Sequence, residues 1–316
     1  MKNFKELKCF HKRSRQKVLL ICIGMLFCFK LAWAQDLEPG FMSAMPIGGN
    51  IGIISYGHSR GDILLDNTLP VDDLNSKLNS IGLGYFRSFK LFNRLAKFDV
   101  VLPYAFGEFN GSVEGVERTV YKNGFGDPLL RLSMIFVGTD PLKTKDFFKS
   151  EQKKFKLGGS LRLKVPLGQY EPDKLVNLGG NRWGLKTAVA GSYTFKNKLI
   201  LEAHMSAWFF GVNDDFFGGN TSKQKPLYGV QLHGIYIFKP GVWVAASIGG
   251  VRGGKVEING IEKESQVNNR FGLSFAYRLN NNNSLKAAYT NGIFTASGAD
   301  INTLLIAYQF LWFDKK

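Results

Sequence analysis

The sequence predicts an all-β protein, a transmembrane antiparallel β-barrel of about twelve strands preceded by a cleaved signal peptide. Three observations point there. The N-terminus is basic and then apolar, as in exported chains. Almost everything after it alternates with a period of two. Short and long connections also take turns along the chain, as they do in outer-membrane barrels.

The first element is the signal peptide, residues 1–34. Lys2, Lys5, Lys8, Lys12, Arg13, Arg15 and Lys17 precede an apolar run from Val18 to Phe29. Twelve residues are too few to span a bilayer as a helix but suit a signal core. Ala32 and Ala34 then occupy the −3 and −1 positions, placing cleavage before Gln35. An uncleaved anchor is the alternative. The chain of 316 residues carries a formal charge of +16, yet eight of its 41 Lys+Arg and one of its 25 Asp+Glu lie in residues 1–34. The remainder, 35–316, therefore carries +9 and forms one barrel domain. All three cysteines (Cys9, Cys22, Cys28) are in the signal segment, so the exported part has no disulfide, thiolate or Cys-based metal chemistry. It also contains no apolar run of eighteen residues. Any crossing of a membrane must be made by strands.

Strands are expected near 47–58, 80–90, 96–108, 125–137, 155–167, 183–196 and 198–211, then 226–238, 241–252, 269–279, 284–294 and 302–313. The last is the clearest. Leu304, Ile306, Tyr308, Phe310 and Trp312 share one face, opposite Thr303, Leu305, Ala307 and Gln309. Connections at 90–95, 196–198, 239–241 and 280–283 are short. Long polar loops are expected at 59–79, 109–124, 168–182, 212–225, 253–268 and 295–301. The 138–154 connection breaks this alternation and is expected to hold a helical turn at Asp146-Phe147-Phe148-Lys149. Trp183, Trp208, Trp243 and Trp312 fall near strand ends, where aromatic girdles form.

Basic residues recur on the face opposite the apolar one. Lys156, Arg162 and Lys164 alternate with Leu157, Leu161 and Leu163; Arg270 and Arg278 alternate with Phe271, Leu273, Phe275 and Tyr277. Such a row is costly in a soluble core and suits a wet or ion-paired lumen. The alternative is the solvated face of a soluble sandwich. Arg131, Arg162, Lys164, Arg270 and Arg278 are the expected lumen wall, with Asp127 and Glu202, and also Asp99, as counter-charges.

Two segments resemble the signature of a known family. They are Gly168-Gln169-Tyr170-Glu171-Pro172-Asp173-Lys174-Leu175-Val176-Asn177-Leu178-Gly179-Gly180-Asn181-Arg182-Trp183 and Asn213-Asp214-Asp215-Phe216-Phe217-Gly218-Gly219-Asn220. Gly124-Phe125-Gly126-Asp127-Pro128 with Arg131, and Leu102-Pro103-Tyr104, look like further pieces of it. The resemblance is to transporter-like outer-membrane proteins named for the MetA pathway of phenol degradation, and it runs from about Pro46 to Trp312. It implies an outer-membrane location and passage of small, hydrophobic or aromatic molecules.

Both long motifs fall in expected extracellular loops. Asp173, Asn181, Arg182, Asp214, Asp215 and Asn220 are the loop residues singled out. Asp173 and Arg182, with Asp214 and Asp215, could pair over the pore as a constriction. They could equally be turn formers. A calcium site at Asn213, Asp214, Asp215 and Asn220 is conceivable, but the spacing matches no EF-hand loop; no metal or cofactor is expected. His58, His204 and His233 are the histidines outside the signal segment. No G-x-S-x-G elbow, H-E-x-x-H helix or phosphate-binding loop occurs, so an enzyme is not expected. A lipid hydrolase built on His204, Glu202 and Ser206 is the least favoured alternative. The basic balance carries no nucleic-acid motif. The expected partners are outer-membrane lipids, small-molecule solutes and the barrel-assembly machinery. The leading expectation is a passive channel that uses no ATP. The second is a barrel plugged by its own side chains and loops, serving as a structural or surface-recognition protein.

Overall fold

A computed structural model describes residues 37–64, 71–113 and 115–315. The signal peptide expected at 1–34 lies outside the described residues. The elements are β1 (Gly49–Leu64), β2 (Val71–Leu91), β3 (Arg94–Val113), β4 (Val116–Phe125) and β5 (Leu129–Val137), then a helical turn α1 (Thr144–Phe147). They continue with β6 (Phe155–Lys164), β7 (Gly184–Phe195), β8 (Leu199–Phe210), β9 (Asn213–Phe216), β10 (Asn220–Gln224), β11 (Leu227–Lys239) and β12 (Val242–Gly253). The last are β13 (Val256–Ile258), β14 (Ile261–Glu262), β15 (Gln266–Arg278) and β16 (Asn283–Phe313).

The main sheet is antiparallel and closes on itself. Its order is β2-β1-β16-β15-β12-β11-β8-β7-β6-β5-β3-β4, and β2 also pairs with β3. Twelve staves result once two elements are read correctly. β16 supplies two of them, residues 284–297 against β15 and 298–313 against β1. β4 and β5 share one stave: β5 pairs with β3 at Leu95–Val101 and β4 with β3 at Tyr104–Val113. The break between them is Gly126-Asp127-Pro128. Pro128 can donate no ladder hydrogen bond, so the strand is interrupted where it stands.

Burial is inverted relative to a soluble protein. Leu161, Leu273 and Ile306 are more than half exposed, whereas Lys97, Lys156, Arg162, Lys186, Glu202 and Arg270 are buried. Apolar side chains outside and charges inside describe a barrel whose outer wall meets lipid. The soluble-sandwich alternative is thereby excluded. No helix among the described residues is long and apolar enough to cross a membrane.

Several expectations need correction. The polar stretches at 59–79, 109–124 and 295–301 are not simply loops; β1, β2, β3, β4 and β16 carry much of them upward as strand. Polarity misled here because a strand that rises out of the lipid has water on both faces. The stretches 212–225 and 253–268 contain β9, β10, β13 and β14, which form a separate small sheet in the order β14-β13-β10-β9. Of the four tryptophans expected at lipid interfaces, only Trp183 and Trp312 sit on the outer face. Trp208 pairs across from the inward Lys186 in the ladder, and Trp243 across from the inward Ala276. Both lie under ammonium groups, Lys186 over Trp208 and Lys286 over Trp243. The 138–154 connection does hold its helical turn, α1.

Candidate functional site

Residues 37–46, ahead of β1, form a strap inside the short-turn half of the barrel. Its entry is fixed by Ser88, whose hydroxyl donates to the Pro46 carbonyl at 2.5 Å and accepts from the Gly49 N–H at 3.1 Å. Its outer flank is held where the Ile47 N–H donates to the Leu142 carbonyl, next to α1. Met42 then packs against Leu95, Ile135 and Ala190. Room for it comes from Gly158, where even a methyl group would touch the Met42 Cε at 3.0 Å. Further in, Leu37 lies over Gly249 and Gly272 in the same way.

Polar contacts bind the strap to the wall at three levels. Lys97 donates to the carbonyls of Phe41 (2.5 Å) and Ser43 (3.3 Å). Glu202 accepts the backbone N–H groups of Phe41 (3.0 Å) and Met42 (3.2 Å), one on each carboxylate oxygen. Glu38 pairs with both Arg131 and Arg162. Arg131 is also held by Asp99 at 2.8 Å, and its guanidinium lies over the Phe41 ring. Burial alone would raise the Glu38 carboxyl, but the Arg131 and Arg162 guanidiniums and the Lys186 ammonium outweigh it. They hold the group well below the usual carboxylate range. A small cavity remains among Glu38, Phe41, Arg162, Lys186, His204 and Gln231.

The expected lumen residues thus divide. Arg131, Arg162 and Glu202 converge on the strap. Arg270 is buried in the wall, and Arg278 is exposed at the short-turn rim. Lys164 and Asp127 meet each other at 3.3 Å on the loop side. Asp127, in the break between β4 and β5, also accepts the N–H groups of Gly168 (3.0 Å) and Gly180 (2.8 Å). It therefore pins the first long motif as well as balancing a lumen cation. A side chain at Gly180 would collide with Lys164, at 2.7 Å.

The expected charge pairing over the pore is not what forms. Asp173 pairs with its neighbour Lys174, and that contact lowers its carboxyl. Arg182 bonds to Gln224 and lies over the Phe210 ring at 5.0 Å. Asp214 and Asp215 are exposed; only the Asp215 backbone is engaged, its carbonyl accepting from the Tyr170 hydroxyl at 3.1 Å. Asn181, at φ 47°, donates to Asn213, and Asn220 joins β10 to Asn259. The motifs are loop-building hydrogen-bond frames, tied to the wall where Lys122 on β4 donates to Glu171 at 2.6 Å.

Glu38, Phe41, Lys97 and Lys186 belong to no expectation drawn from the sequence, and His233 figured there only as one of three histidines outside the signal segment. The alternation could have found Lys97 and Lys186, since both continue the inward face of their strands. Nothing in the strap's own sequence marks Glu38, because its partners lie 93 and 124 residues away.

The family model described as "Putative MetA-pathway of phenol degradation" matches residues 58–298. The fold is similar to that of a solved outer-membrane channel from Pseudomonas putida F1, with a TM-score of 0.72 and 24% identity, covering 88% of this chain and 100% of that one. It is also similar to the β domain of the Bordetella autotransporter BrkA, with a TM-score of 0.50 and 14% identity, covering 84% of this chain and 100% of that one. No curated protein matches the sequence.

Proposed function

The chain belongs to the family described by the MetA pathway of phenol degradation, and from that premise we propose that it is a passive outer-membrane channel for small molecules, narrowed by its own N-terminal strap. The observation that carries the reading is the inverted barrel with a cation-rich lumen: Lys97, Arg131, Arg162, Lys186 and Arg270 all face inward. An apolar outer wall seats it among outer-membrane lipids, where barrel-assembly machinery would insert it. No step needs ATP or a catalytic group. The excess of inward cations favours small anions and polar neutral solutes. Hydrophobic or aromatic solutes would meet the inward rings of Phe41, Trp208 and Phe210. The likeness in fold to a solved outer-membrane channel supports the channel reading.

Planar-bilayer recording tests this directly. Discrete conductance with a reversal potential on the anion side is expected. Cation preference, or silence from both the intact chain and a chain lacking residues 37–46, would overturn it. One observation favours the second reading, a plugged barrel with a structural or surface-recognition role: the strap is anchored at three levels. Liposome swelling separates the two, since a permanently plugged barrel admits no solute at any strap sequence.

A further inference from the structure

The β8–β11 ladder places His233 directly across from Glu202 and Gln231 across from His204. Residues 202 and 204 share a face, so the three side chains of Glu202, His204 and His233 form a tight triangle on the inner wall. One ligand-capable atom from each lies within 4.8 Å of the others. The two imidazoles stand 4.7 Å apart between centroids. All three residues are at least nine-tenths buried, with His233 only 3% exposed.

We propose that this triangle binds a divalent first-row transition-metal ion, with zinc the plainest case. Two imidazole nitrogens and one carboxylate oxygen are the donor set such ions take, in preference to calcium or magnesium. Orientation is already provided. His233 Nδ1 is 2.8 Å from the Ser247 hydroxyl, which fixes the ring and leaves Nε2 as the free coordinating atom. That Nε2 is buried with no hydrogen-bond partner among the described residues. A buried imidazole nitrogen without a partner is costly, and a metal ion satisfies it. His204 Nε2, now 2.7 Å from the Glu202 carboxylate, turns its lone pair to the ion when metal replaces that contact. Each Glu202 oxygen has a second lone pair beyond those taken by the strap N–H groups. The small cavity beside His204 and Gln231 offers the remaining coordination position to water or a solute. Lys97 and Lys156 both act on Glu202 electrostatically. Their charge opposes cation binding and limits the affinity the triangle can reach.

The test uses the exported chain folded in detergent, stripped with chelator and titrated with Zn²⁺ by calorimetry and Co²⁺ by visible absorption. One equivalent of each should bind, with ligand-field bands for cobalt. His204→Ala and His233→Ala should each weaken Zn²⁺ at least about tenfold, while His58→Ala leaves it unchanged. Heat-modifiable gel migration confirms that each variant is folded. Should a histidine variant fail to fold, zinc X-ray absorption on the unmodified protein decides. Imidazole scattering supports the site, and an oxygen-only shell overturns it. Absence of stoichiometric binding, or wild-type affinity in both histidine variants, also overturns it. None of these outcomes bears on whether the barrel conducts.

Discussion

The two halves of the lumen are narrowed by different means. On the short-turn side the obstruction is a strap of ten residues, fastened by side chains of the wall to its backbone and to Glu38. On the long-loop side the first motif is pinned through its own backbone, with Asp127 gathering the N–H groups of Gly168 and Gly180. Charges on the strap side cross from one segment to another. Those on the loop side also cross between segments, Lys164 to Asp127 and Lys122 to Glu171, with Asp173 and Lys174 as a neighbouring exception. The first motif lies in the connection from β6 to β7 and is tethered to the wall at both ends, whereas the strap precedes β1 and is held by side chains of the wall. Under the proposed channel function, the contrast points to the strap as the gate and to the loops as a fixed frame.

Removing residues 37–46 is the severest challenge to that division. Single-channel conductance should rise several-fold, and an unchanged value would mean that the strap is not what limits flow. Next in size is Glu38→Gln. Breaking a fully buried pair costs about 3–5 kcal/mol, but Glu38 keeps about a third of its side chain open to the lumen, so roughly 1–2 kcal/mol is expected after screening. The recording should show more frequent opening and stronger anion preference.

The same pair fixes a pH response. The folded Glu38 carboxyl lies well below its ordinary value of 4.5. Its stabilisation of the strap is therefore fully present above that value and lost as pH falls through the depressed one. Conductance should stay constant from neutral down to mildly acidic solution and rise only below about pH 4.5. A rise near pH 6 would point to another group.

Asp127→Ala addresses the loop side. It strands two N–H groups and Lys164, and about 2 kcal/mol of barrel stability should be lost, read as a lower temperature for the heat-modifiable gel shift. Strap-limited conductance should change little. Smallest of all is Asp173→Asn, which should leave the temperature of the gel shift unchanged.

Sequence made the barrel legible because lipid outside and charge inside force every stave into the same alternation. Arg162 could be assigned inward from Leu161 and Leu163 alone. Twelve staves were countable even though one is split at Pro128. What alternation does not encode is everything off the wall. The strap, Leu37 to Pro46, reads as featureless coil, and its meaning comes from Arg131, Arg162, Lys97 and Glu202 on four separate strands. Arg182 illustrates a different failure. Its charge invited an acidic partner, but the ring of Phe210 and the amide of Gln224 satisfy it instead, and neither residue stands out in the sequence. The inward tryptophans show the same limit: Trp208 and Trp243 keep perfect register, yet proximity to a strand end says nothing about which face a ring takes.

The wall is sealed where β1 meets the last stave of β16, joining the first strand of the chain to its final one. The strap is the segment directly before β1, so it enters from the same mouth at which that seam begins. It takes no part in the ladder that closes the wall. Every pairing that closes the circle is made by residues from Gly49 onward. Changes within the strap can therefore be made without removing a single ladder hydrogen bond of the wall.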